Sequence, residues 1–85
     1  MISTEELTQL TTDKQIDARG VACPGPLLEA KRGITAVQVG GVMEVLSSDA
    51  STKNDLPRWA AKIGHEYLGT IDEPGFWRIF IKRGK

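Results

Sequence analysis

The spacing of apolar and polar positions assigns most of this chain to regular elements. Residues 15–19 read as a strand that stops at Gly20, a residue free to adopt turn geometry. Leu27, Ala30, Ile34 and Val37 then step by three and four, with Leu28 beside them, so a helix turns this stripe to the core until Gly40-Gly41 ends it. Residues 42–46 are apolar apart from Glu44 and lie between Gly-Gly and Ser-Ser, the pattern of an interior strand. Helical spacing returns with Leu56, Trp59, Ala60 and Ile63 and ends at Gly64. Asp49, Ser51 or Asp55 could cap that helix, and Pro57 should sit in its first turn or kink it. Two extended runs, 66–72 and 76–82, flank Glu73-Pro74-Gly75, where proline sets the turn's φ and glycine takes the positive φ after it. In the last run Trp77, Ile79 and Ile81 share one face, assigned to the core, and Phe76, Arg78, Phe80 and Lys82 share the other.

The order β-α-β-α-β-β predicts an α/β two-layer sandwich, with a mixed four-stranded sheet and two helices on one face. The first strand, helix and second strand imply parallel pairing with a right-handed crossover. Residues 1–14 fall outside this pattern. Ser3-x-x-Glu6 has capping-box form, but the segment is short and poor in apolar residues, so it reads as a loose N-terminal arm before a domain of residues 15–85.

With 85 residues the chain fits one domain and is too small to enclose a deep private substrate pocket. Eleven basic residues balance eleven acidic ones, so no overall field attracts phosphate backbones or anionic membranes. The polar N-terminus and short apolar runs show no signal peptide or membrane span, which points to the cytoplasm. A single cysteine, Cys23, cannot form an internal disulfide, so any redox chemistry is intermolecular.

A lone cysteine is most often a small buried hydrophobe. The setting of Cys23 argues otherwise. It follows a strand and the Gly20 turn and directly precedes Pro24 and Pro26, where the first helix should begin. Proline is favoured at the first helical position, which places Cys23 at or next to the N-cap, with its thiol facing free amides. Those amides and the positive end of the helix dipole favour the thiolate, which is the nucleophile.

Asp17-x-Arg19-Gly20-x-x-Cys23-Pro24-x-Pro26 resembles the signature of the TusA/SirA family of sulfur carriers. Asp49-x-x-Thr52-x-x-Asp55-Leu56-Pro57, Gly64-His65-Glu66 and Phe80-Ile81-Lys82-Arg83 are similar to later segments of the same family, so the resemblance runs from about Ile16 to the end. It implies a two-layer sandwich like the C-terminal domain of translation initiation factor three, and sulfur relay without a metal or organic cofactor. Cys23 would accept sulfane sulfur as a persulfide, or thiosulfate as a thiosulfonate, from a cysteine desulfurase, a rhodanese or a DsrE-like donor. It would pass this cargo to a downstream acceptor, as a covalent intermediate rather than as an independent enzyme. The family's pathways include tRNA thiolation, molybdenum-cofactor enzymes and sulfur oxidation. Some members carry a second cysteine in the second helix. Here that stretch is Pro57-Arg58-Trp59-Ala60, so no resolving thiol exists and a disulfide switch within the monomer is excluded.

Around Cys23, Arg19 could steady an anionic sulfur species, or be a solvated strand-end charge or pair with Asp17. Asp17 reads as structural, because a carboxylate close to the thiol would raise its pKa. Lys31 and Arg32 are candidate docking residues on the first helix, although a solvated face is the more common role for such charges. His65 has neither a cysteine nor a second histidine to join in metal binding and is expected to be a helix-end charge partner or a surface residue. Trp59 is grouped with Leu56 and Ile63 in the core, and Trp77 with Ile79. The non-enzyme alternative is a small RNA-binding module that stacks bases on the Arg78/Lys82 face with Phe76 and Phe80. Zero net charge and the adjoining Asp72 and Glu73 argue against nucleic acid.

Overall fold

The computed structural model describes residues 4–22 and 24–85. The elements run α1 (Thr4–Gln9), β1 (Lys14–Ala18), α2 (Gly25–Gly33), a single 3-10 turn (Ile34–Ala36), β2 (Val42–Ser47), α3 (Thr52–Ile63), β3 (Glu66–Glu73) and β4 (Phe76–Lys82). The sheet order is β1-β2-β4-β3, with β1 parallel to β2 and β4 antiparallel to both its neighbours. This is the expected mixed four-stranded sheet. Its main core lies under α2 and α3, where Ala30, Leu56 and Ala60 meet Ile16, Met43, Val45, Ile79 and Ile81. Trp59 and Trp77 pack against this cluster half-buried, and Ile63 stays 45% exposed at the end of its helix, outside the stripe assigned to it.

The expected first helix is shorter than its apolar spacing. α2 stops at Gly33 and the chain tightens into the 3-10 turn, which still delivers Ile34 and Val37 to the core while Leu28 stays 48% exposed. The carbonyls freed at this end need donors. Arg83 supplies them, its Nη1 donating to Val37 O at 2.5 Å and Ile34 O at 3.2 Å. Gly33 also permits close packing on β1, since a Cβ there would stand 2.2 Å from Ile16 Cδ1. In α3, Ser51 occupies the N-cap position without a side-chain capping bond, and Asp49 instead accepts from Ser51 N and Oγ. Pro57 is the sixth residue of the helix rather than part of its first turn.

α2 and α3 share one face as expected, but the second face is also covered, by the segment expected to be a loose arm. Residues 4–9 form α1, which sets Leu7 (2% exposed) over Val42, Leu68, Ile71 and Phe80, with Leu10 at the edge. A six-residue helix has little stability of its own, so this packing holds it. A bulge in β3 between Tyr67 and Gly69 makes the arrangement possible. One extra residue reverses the alternation that follows. Leu68 and Ile71 thereby both face α1, although simple alternation would put them on opposite sides. Phe80, assigned to the solvent face in the RNA alternative, is 1% exposed in this cluster. Arg78 is likewise committed: its Nε meets Glu44 Oε2 at 2.5 Å, Gln15 donates to the other carboxylate oxygen at 2.9 Å, and Glu44 is 2% exposed. This face offers no open stacking platform.

His65 is neither a surface group nor a charge partner. It is 8% exposed, its Nδ1 accepts the Gly84 N–H at 3.0 Å, and its ring centroid lies 5.3 Å from that of Trp59. Burial, followed by the nearby charges of Arg83 and Lys85, pushes its pKa below the usual 6.5. The native state therefore binds fewer protons than the unfolded chain near that pH, and the resulting stability is fully present above about pH 6.5 and lost progressively below it. As His65 is the only histidine, the urea midpoint should fall between about pH 7.5 and pH 5.5. A His65→Gln protein should show a flatter profile over the same range. No helix among the described residues is long and apolar enough to cross a membrane.

Candidate functional site

The parallel pair β1 and β2 ends on the same side of the sheet at which β4 begins, and Asp17, Arg19 and Gly20 lie at that end. After β1 the chain turns, with Val21 N–H donating to Ala18 O at 3.2 Å and Gly20 at φ 80°. A positive φ at the third position of such a turn is strained for any residue with a Cβ, which accounts for the glycine. The Gly20 N–H donates to Ser48 Oγ at 2.8 Å and ties this turn to the loop after β2. Between the two loops lies an open groove of about 390 Å³, lined by Gly20, Val21 and Ala22 on one side and Ser48, Asp49 and Ala50 on the other. Ser48 gave no signal in the sequence, because its role depends on the crossover that brings the two loops together.

Arg19 and Asp17 form a two-pronged ion pair. Arg19 Nε and Nη2 donate to the carboxylate at 2.9 and 2.8 Å, and the Arg19 main-chain N–H donates to it at 3.1 Å. Hydrogen bonding by the guanidinium, and then by the main-chain N–H, holds the Asp17 carboxyl at about 2, and the same pairing raises the pKa of Arg19. The guanidinium also lies 4.9 Å from the Phe76 ring centroid. Of the roles considered for Arg19, the pairing with Asp17 is present in the structure, at the half-exposed end of β1. Asp17 accordingly fixes a cation at the rim of the site.

Cys23 lies outside the described residues. Its chain neighbours Ala22 and Pro24 are both exposed, and Gly25 N–H donates to Ala22 O at 2.9 Å. Pro24 holds the N-cap position, so Cys23 precedes the N-cap in the chain, within the range expected; Gly25 is the first helical residue, and Pro26 is the second and is buried. This changes the electrostatic expectation. Of the first three helical positions, Gly25 directs its N–H to Ala22 O and Pro26 has none, so at most the Leu27 N–H remains for an anion. Proline is tolerated here because the missing donor would have had no partner within the helix.

Of the docking candidates, Lys31 faces a second groove, between α2 and α3, together with Leu27, Asp55, Arg58, Trp59 and Lys62. Arg32 does not line it. Its side chain is 79% exposed, 3.7 Å from Glu29. Among the described residues no group of three or more histidine, cysteine, aspartate or glutamate side chains is placed to hold a metal ion.

Comparison with known proteins connects this arrangement to one family. Residues 14–83 match the family model described as sulfurtransferase TusA. A protein of Archaeoglobus fulgidus named as a candidate sulfur carrier is 49% identical over 70 residues, covering 82% of this chain and 96% of that one. The sulfur carrier protein TusA of Pseudomonas entomophila is 34% identical over 77 residues, covering 91% of this chain and 96% of its own. The crystal structure of a SirA-like protein from Desulfitobacterium hafniense superposes with a TM-score of 0.74 at 27% identity, covering 85% of this chain and 99% of that one.

Proposed function

Because the chain belongs to the TusA sulfurtransferase family, we propose that it is a sulfur carrier in which Cys23 holds the cargo between a donor protein and an acceptor. The carrying observation is the placement of the chain around that residue: Ala22 and Pro24 are exposed on the loop anchored by the Gly20–Ser48 bond, at the end of the sheet where Arg19 is fixed. Exposed chain neighbours support a role in which Cys23 meets another protein's cysteine. With a persulfidated donor, the Cys23 thiolate attacks the outer sulfur, the new S–S bond forms on Cys23, and the donor's own sulfur leaves as a thiolate. With tetrathionate, attack on an inner sulfur leaves a thiosulfonate on Cys23 and expels thiosulfate. Either product carries a sulfur that a second nucleophile can remove, which regenerates Cys23.

The protein acts as a covalent intermediate, since its own groove is shallow and Cys23 is its single thiol. A cysteine desulfurase, a rhodanese or a DsrE-like protein fits the donor role, and the cytoplasm is the compartment that keeps the thiol reduced. Asp17, Arg19, Gly20, Pro24 and Pro26 support the loop rather than react. Incubation with tetrathionate, or with a persulfidated rhodanese, should raise the intact mass by one thiosulfate or one sulfur, reversibly with a reductant. A mass that stays unchanged with every donor, while the reduced thiol remains alkylatable, would remove the carrier reading.

A further inference from the structure

We propose that the groove between α2 and α3 is the docking surface for an acidic segment of the partner protein, with an apolar side chain of that segment seated against Trp59; this rests on the sulfur-carrier reading. Its composition departs from the rest of the molecule. The chain as a whole carries eleven cations and eleven carboxylates, whereas the groove brings together Lys31, Arg58 and Lys62 with Asp55 as its one carboxylate. All three cations are exposed. Arg58 and Lys62 stand one turn apart on α3, and Lys31 faces them from α2, so their charges add over a volume of about 250 Å³.

The floor is apolar. Leu27 and Trp59 are only partly buried where they pack against the main core, which leaves hydrophobic surface at the bottom of a basic rim. An apolar anchor in a rim of three cations and one carboxylate fits a partner of net opposite charge that buries a single large side chain. The groove also lies where docking is useful. Leu27 is the third residue of α2, and this helix begins two residues after Cys23, so a segment in the groove lies along the helix that leads away from the thiol. Lys31 is one further turn along, a rise of about 6 Å.

The test uses the full chain carrying Trp77→Phe, so that Trp59 is the only tryptophan and reports on the groove. The probe is a short peptide of aspartate and glutamate with one central phenylalanine, compared with its glutamine counterpart and with an oligouridylate of similar length. The acidic peptide should shift Trp59 emission, bind more weakly as salt rises, and lose about tenfold or more in affinity when Lys31, Arg58 and Lys62 are changed to glutamate. The glutamine peptide should not compete, and Arg32→Glu should leave affinity unchanged. If the triple reversal alters the far-UV circular dichroism, the triple glutamine variant replaces it. Affinity indifferent to these changes, tighter binding of the RNA, or an emission shift that follows protein concentration without peptide would each overturn the proposal. Tetrathionate loading of Cys23 separates the two readings. A protein that loads but ignores the peptide refutes the groove alone, and one that never loads refutes the carrier function on which the groove depends.

Discussion

A Cys23→Ser protein incubated with tetrathionate or with a persulfidated donor should keep its intact mass, and sulfur transfer between partner proteins should fall to the uncatalysed background. The loss should be complete because the substitution removes the nucleophile: a serine hydroxyl is scarcely ionised at neutral pH, and no second cysteine can take over. The fold should be untouched. Serine nearly matches cysteine in size, and the chain neighbours Ala22 and Pro24 are both exposed. Pro24 and Pro26 differ from each other in this respect. Pro24 is exposed at the N-cap and its replacement should be mild, whereas Pro26 is buried beneath the start of α2, so its replacement also disturbs packing. Full transfer by Cys23→Ser, measured by mass on the acceptor, would show that the thiol is not the carrier group.

Phe80→Ala should be the most damaging single change to stability, costing about 3–5 kcal/mol, the range for truncating a buried aromatic residue. A domain of this size has a total stability of about 4–13 kcal/mol at typical values per residue, so the variant should approach the unfolding threshold. Each kcal/mol lost should lower the melting temperature by about 4–8 °C. Leu7→Ala should act on the same cluster from the other side, at about 2–5 kcal/mol, with the urea midpoint shifted at constant slope if the domain unfolds as one unit. The two losses should not add, because the residues share the cavity that each substitution opens. The RNA alternative requires the reverse: an exposed Phe80 whose removal leaves the midpoint within about 0.5 kcal/mol and weakens RNA binding. A midpoint unmoved by either substitution would show that α1 does not seal this face.

The sequence by itself determined the elements of the main layer, because they depend on local periodicity. The spacing of Leu27, Ala30, Leu56 and Ala60, the alternation of Trp77, Ile79 and Ile81, and the Pro74-Gly75 turn each describe a surface that must be buried or a φ that must be met, whatever lies opposite. The motif around Cys23 was legible for the same reason, since Gly20, Pro24 and Pro26 each mark a backbone requirement of the strand-to-helix turn. What depended on distant parts of the chain was not legible. α1 looked like a loose arm because six residues with a single leucine carry little signal until a bulge turns Leu68 and Ile71 to the same side and Phe80 completes the apolar face. His65 looked exposed until the C-terminal strand brought Gly84 to its ring, and Arg78 looked free until Glu44 met it across the sheet. Ser48, Arg58 and Lys62 joined the two grooves only through the crossover that sets β2 beside β1 and α3 beside α2. Periodicity reports which face a residue presents along its own element, but the partner it meets is fixed by register and packing, and these exist only once the layers have closed.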